Sequence, residues 1–262
     1  MKNVLTIAAS DSSGGSGIQA DIKTFCAHGI YGMSVITAVT AQDTEGIISV
    51  QKIDSTIIKQ QIDAIFLDIK VNAVKIGMLF DMETISIIAE RLRYYKPRII
   101  VLDPVIFSKD GFEILNLDAI NLLEKELFPL ATIVTPNVHE AELLAKIEIK
   151  TPDDIIKACK IIKKYGSEYV LIKCGNIEFE PVDVLYDGEN FYRYESMRIN
   201  TKNTHGSGST LSAAIAANLA VSNDVKQAVS LSKKYISGAI QKSFELGKGR
   251  GPVNHFYKFF QK

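Results

Sequence analysis

The sequence predicts an α/β fold with a mostly parallel sheet covered by helices on both faces, and three observations predict it. Six short apolar runs rich in branched residues, at 4–8, 34–39, 73–76, 99–102, 133–135 and 169–172, read as buried strands. Longer segments with helical period lie between most of them. Strands that alternate with helices build right-handed βαβ units and hence a parallel sheet. At 262 residues the chain is long enough for a large core, and with no repeat or linker it reads as one domain over 1–262.

Each element has its own signal. Ile18, Ile22, Phe25 and Cys26 form one helical stripe, which predicts a core position for Cys26. Ile57, Ile58, Ile62, Ile65 and Phe66 form a second stripe, and Ile85, Ile88, Leu92 and Tyr95 a third. Thr151-Pro152-Asp153-Asp154 is a helix start, with a capping threonine and proline at the first helical position. Asp187-Gly188-Glu189-Asn190, between the runs 182–186 and 191–194, reads as a β-hairpin turn. An Ala-rich apolar helix follows Ser209, and 224–244 reads as a long amphipathic helix.

Composition excludes several classes of protein. Thirty basic and thirty acidic residues give a net charge of +0, so neither nucleic acid nor an anionic membrane is the expected main partner. Cys26, Cys159 and Cys174 lie far apart with no C-x-x-C, which argues against disulfides and zinc and for a reducing, cytoplasmic setting. The N-terminal apolar stretch 4–9 is too short for a signal segment, and the helix near 211–221 is too short to span a bilayer.

In a sheet of this kind, ligands bind beyond the carboxyl ends of the strands, so motifs just after strands carry weight. The first is 9–17, ending Gly14-Gly15-Ser16-Gly17, which reads either as a close-approach loop or as a flexible helix cap. Leu102-Asp103-Pro104-Val105 puts a carboxylate at a strand end, suited to Mg2+ through water or to an ordinary turn. In Thr135-Pro136-Asn137-Val138-His139-Glu140, Asn137 and Glu140 form a capping box, and His139 receives no role. Lys173 ends an apolar strand, where it meets an anion or snorkels to solvent. Gln42 offers both a donor and an acceptor, which suits an aminopyrimidine edge as well as a plain turn. Finally, Gly206-Ser207-Gly208-Ser209 opens the Ala-rich helix, so its free N–H groups suit either a phosphate or ordinary capping. The spacing is neither a P-loop nor G-x-G-x-x-G, and Gly14-Gly15-Ser16-Gly17 does not fit a dinucleotide-binding oxidoreductase.

Taken in order, these motifs resemble the hydroxymethylpyrimidine/phosphomethylpyrimidine kinases of thiamin biosynthesis, within the ribokinase superfamily. The matching stretches also include Lys75-Ile76-Gly77-Met78 and Gly249-Arg250-Gly251-Pro252-Val253-Asn254-His255-Phe256. The resemblance implies a ribokinase-like doubly wound sandwich, homodimers, and ATP-dependent phosphorylation of 4-amino-5-hydroxymethyl-2-methylpyrimidine and then of its monophosphate. It places Gln42 on the pyrimidine, with Ser16, Thr40, Val105 and Asp21 on the substrate side. It gives Asp103 and Glu140 to Mg2+, with Asn137 beside them at the nucleotide, and Lys173 to the ATP phosphates. Gly206, Ser207, Gly208 and Ser209 become the anion hole over the transferring group.

Four positions depart from the family pattern, Ser207 for threonine only mildly. That pattern usually reads Gly-Thr-Gly-Cys at the anion hole, whereas this chain has Ser209 in the cysteine position. A thiol ionises far more readily than an alkyl hydroxyl, so Ser209 is the weaker base. Ala9 and Cys174 stand where glycine is common and are expected to narrow the pocket. Pyridoxine, pyridoxal or pyridoxamine is therefore the alternative substrate, and a catalytically weakened pyrimidine-binding protein the alternative role.

Overall fold

In the computed structural model, which describes residues 1–107, 114–175 and 182–259, nine strands form one sheet. They are β1 (Asn3–Asp11), β2 (Tyr31–Gln42), β3 (Ile47–Lys52), β4 (Ala73–Ile76), β5 (Ile100–Leu102), β6 (Ile133–Val134), β7 (Tyr169–Ile172), β8 (Asp183–Tyr186) and β9 (Phe191–Tyr194). The spatial order is β3-β2-β1-β4-β5-β6-β7-β8-β9. The pairs from β2 through β7 are parallel, and antiparallel β3 and the β8–β9 hairpin flank them. The chain moves outward from β1 to β2 and then returns to β4 on the other side of β1. That reversal opens a crevice at the carboxyl ends of β1 and β4.

Two apolar layers sandwich the sheet. On one side pack α2 (Ser55–Asp68), α3 (Met82–Tyr95), α4 (Leu117–Glu126), α5 (Val138–Ala145) and α6 (Pro152–Lys163), and on the other α1 (Gly17–Ala27), α7 (Ser207–Ser222) and α8 (Val225–Gln241). Strands β4, β5 and β6 are buried at every residue, which is why they read as continuous apolar runs without alternation. This is the ribokinase-like doubly wound architecture.

The expected caps form. Thr151 accepts from Asp154 N at 3.3 Å while Asp154 Oδ2 accepts from Thr151 N at 3.1 Å. At the hairpin, Asp187 Oδ1 accepts from the amides of Glu189 and Asn190. Three expectations are corrected. Cys26 is exposed, because the buried face of α1 runs through Ile18, Thr24 and Phe25. Ile57 is 47% exposed, as α2 turns Ile58 and Ile62 to the core instead. The last helix ends at Gln241, not at 244. No helix among the described residues is long and apolar enough to cross a membrane.

Candidate active site

A cavity of about 160 Å3 lies at the carboxyl ends of the parallel strands. Its walls are built one strand at a time. β1 contributes Ala8 through Asp11, β2 contributes Thr40 and Gln42, and β4 contributes Lys75. Asp103 and Val105 follow β5, Asn137 and Glu140 open α5, and Lys173 follows β7. Ser16, Gly206, Gly208 and Ser209 close the ring.

The anion end is set by the start of α7. Gly206 caps the helix at φ 74, and a Cβ there would lie 1.7 Å from the carbonyl oxygen of Gly15, so only glycine fits. The amides of Gly208 and Ser209 meet no protein acceptor among the described hydrogen bonds, and they point from a positive helix end. A Cβ on Gly208 would lie 3.5 Å from Lys173 Nζ and 3.9 Å from Asp103 Oδ2, which brings three separate elements to one point. No protein partner engages the Ser209 hydroxyl among the described residues.

Lys173 meets its anion. Its Nζ lies 2.6 Å from Asp103 Oδ1, with side-chain exposures of 13% and 3%. Thr135 Oγ1 donates to the same carboxylate at 2.9 Å. Burial opposes the charge on Asp103, yet Lys173 and Lys75 hold its carboxyl below the usual range. Burial likewise opposes the Lys173 charge, while Asp103 and Glu140 keep it protonated.

Glu140 serves the capping box with Asn137, through bonds of 2.8 and 2.9 Å. Burial pushes its carboxyl up to about 7, against the attraction of Lys173 and with help from the Asp103 charge. Between the ordinary value of 4.5 and 7, the folded protein then holds a proton that the unfolded chain has lost. Folding stability contributed by this group therefore falls as pH rises through that window and levels off above it. Glu140→Gln keeps a capping acceptor and removes the titration. Its melting temperature is expected to match wild type near pH 4.5 and to exceed it by several degrees at pH 7.5, by about 2–3 kcal/mol. Paired thermal melts across pH check this, and a difference that is flat with pH contradicts it.

On the β2 wall of the cavity, the Thr40 hydroxyl is shared between Ser10 O at 3.0 Å and Gln42 Oε1 at 3.2 Å. The Ser12 hydroxyl clasps the Gln42 backbone at both its N–H and its carbonyl. The Gln42 amide NH2 is left with no protein acceptor among the described residues, beside apolar Val105, Met78 and Ile47.

Two of the expected site residues do not line the cavity. Ser207 opens α7 but is not part of the wall. Asp21, expected on the substrate, is fully buried below the wall, where Thr6 Oγ1 and Lys75 Nζ donate to its Oδ2 at 2.6 and 2.9 Å. Helix α1 turns Asp21 toward the sheet, so it acts only through Lys75. Ala9 does line the cavity, but Cys174 packs into the core with its thiol pushed up to about 12 by burial. Cys174 therefore does not narrow the pocket.

Three ionisable lining residues were given no role by the sequence reading. Lys75 is one of them, and Asp11 and His205 are the others. His205 Nε2 lies 2.8 Å from Asp11 Oδ2, and Ser13 and Ser16 also donate to Asp11. Burial opposes the charge on Asp11, but these hydrogen bonds hold its carboxyl well below the usual range, so the His205 ring N–H is the donor. The pair latches the loop of Ser16 onto the start of α7. The available signal was that each residue sits at the edge of a glycine-rich run.

The Gln42 side chain, the start of α7, a buried lysine and two buried carboxylates line one cavity. Fold and site together define an α/β phosphotransferase that acts on a small alcohol. A family model described as phosphomethylpyrimidine kinase matches residues 11–254. The hydroxymethylpyrimidine/phosphomethylpyrimidine kinase of Rhizobium meliloti is 45% identical over 261 residues, covering 98% of each chain. The thiamine biosynthesis bifunctional protein ThiED of Geobacter sulfurreducens is 44% identical over 254 residues, and the chain spans 52% of its length. Among solved structures, the ADP complex of Bacillus subtilis pyridoxal kinase superposes with a TM-score of 0.92 at 40% identity, over 98% of both chains. The chain belongs to the phosphomethylpyrimidine kinase family.

Proposed function

We propose that the protein transfers the terminal phosphoryl group of ATP to the hydroxymethyl oxygen of 4-amino-5-hydroxymethyl-2-methylpyrimidine, and then a second one to the monophosphate. One observation carries this reading: the Gln42 side chain, whose NH2 has no acceptor among the described residues, shares a cavity with the helix start, Lys173 and the Ser209 hydroxyl. Gln42 would orient the aminopyrimidine, and Ser16, Thr40 and Val105 would enclose it. Lys173, Gly206 and the amides of Gly208 and Ser209 would hold the phosphates, with Asn137 beside them. Charge develops on the transferring group and on the departing ADP, where these fixed donors neutralise it.

The alcohol oxygen bonds to phosphorus as the bond to ADP breaks. In a loose transition state the alcohol loses its proton late, to a phosphoryl oxygen or to water, so a hydroxyl at Ser209 that orients the alcohol suffices. Asp103 and Glu140, both buried in the wall and mutually repulsive, would hold Mg2+, which would supply charge neutralisation at the phosphates when bound. The described residues contain no group of three or more such ligands, so phosphate and water would complete its shell. The unpaired cysteines accord with a cytoplasmic setting, and the family resemblance makes a homodimer part of the same reading.

The likeness to a pyridoxal kinase favours a second reading, phosphorylation of pyridoxine, pyridoxal or pyridoxamine. ADP release measured with each alcohol, alone and in competition, separates the two. The pyrimidine is expected to be preferred, and a large preference for pyridoxal overturns that choice.

A further inference from the structure

The stretch 247–255 follows α8 and touches both ends of the cavity without lining it. At one end it grips the turn just after Gln42. Arg250 N donates to Thr44 O at 2.8 Å, and Gly249 N donates to Thr44 Oγ1 at 3.0 Å. The approach is close enough that a Cβ on Gly249 would lie 1.9 Å from Thr44 O. At the other end it holds the approach to the anion hole. Gly251 O accepts from His205 N at 3.1 Å, and Gly251 N donates to Asn203 Oδ1 at 3.0 Å. Buried His255 then meets Thr210 Oγ1 in the first turns of α7 at 3.0 Å. Asn254 N donates to Ala239 O and Tyr235 Oη donates to His255 O, which ties the stretch to α8.

We propose that residues 247–255 are a strap that sets the pyrimidine-side loop in register with the phosphate cradle, with Thr44 as its positioning residue. Thr44 lies two positions after Gln42, and Gly251 bonds the residues that precede Gly206. The strap therefore fixes the span across which an alcohol oxygen and a phosphorus must meet, and small errors there are costly in rate. This inference rests on the assignment of Gln42 and the start of α7 to the two ends of one kinase site.

Thr44→Val removes the hydroxyl acceptor without changing shape, and Thr44→Ser retains it. For the valine variant, amide exchange in residues 203–210 is expected to rise about fivefold and kcat to fall about fivefold, the size of one lost hydrogen bond. The KM for the alcohol is expected to stay within about twofold, because Gln42 itself is untouched. Thr44→Ser is expected to restore both readouts. Unchanged exchange at 203–210, a loss confined to KM, or no rescue by serine overturns the strap. If wild type turns over only pyridoxal, the pyrimidine reading fails and the strap is read on pyridoxal. If it turns over neither, the exchange comparison decides alone.

Discussion

Lys173→Met is expected to lower kcat by about 10²–10³-fold while the variant stays folded. The lysine is the side-chain cation nearest to Gly208 at the helix start, and its methylenes follow buried Val170, Leu171 and Ile172 into space that methionine can still fill. What is lost is one fixed charge where negative charge grows during transfer. The change also leaves the Asp103 carboxylate, already short of water, without its 2.6 Å partner. Thr135 Oγ1 still donates to it, which limits the structural damage. Lys173→Arg is expected to recover little, because a planar guanidinium spreads its charge and does not reproduce the compact ammonium held 2.6 Å from Asp103 Oδ1. Steady-state kinetics with circular dichroism check this. A loss below threefold in the methionine variant would remove Lys173 from the chemistry.

Lys75→Met is the change with the largest expected effect on stability. Its ammonium lies 2.9 Å from Asp21 Oδ2, with the two side chains 1% and 0% exposed. Asp21 Oδ1 has no hydrogen-bond partner, and burial raises its carboxyl while Lys75 lowers it. Removing the cation strands a buried carboxylate, at a cost of about 3–5 kcal/mol. In a chain of this size that is a fall in Tm of roughly 10 °C. The double change Lys75→Met with Asp21→Asn removes both charges and is expected to regain most of the loss, since a buried pair has little net worth over neutral packing. Thermal melts of the three proteins decide it. A single variant within 2 °C of wild type, or a double variant no better than the single, contradicts the account.

These two lysines show what the sequence disclosed and what it withheld. Lys173 was visible because a charged residue at the end of an apolar strand needs an explanation on the spot. The helix start at Gly206 was visible for the same reason, since consecutive residues build it. Lys75 was quoted within a matching stretch but given no role, because its meaning comes from Asp21, 54 positions away. The Asp11–His205 latch spans 194 positions, and its one local trace is that each residue borders a glycine-rich run. Asp21, put on the substrate side by the resemblance alone, lies buried against Thr6 and Lys75, a placement that depends on which face of α1 meets the sheet. Among the strands, β4 and β7 were legible to the residue because both faces are covered. β3 was missed because most of its residues are exposed and it pairs only with β2, so no apolar pattern marks it. The hairpin was legible from its turn residues alone.

The central claim is that a chain with serine at position 209 is a working kinase for the pyrimidine alcohol. The direct test is ADP release with ATP, Mg2+ and 4-amino-5-hydroxymethyl-2-methylpyrimidine, run side by side on the wild-type chain and Ser209→Cys. The account predicts turnover by the serine form within about tenfold of the cysteine form, since positioning and charge neutralisation dominate a loose transition state. Robust turnover by the cysteine form beside none by the serine form would contradict it.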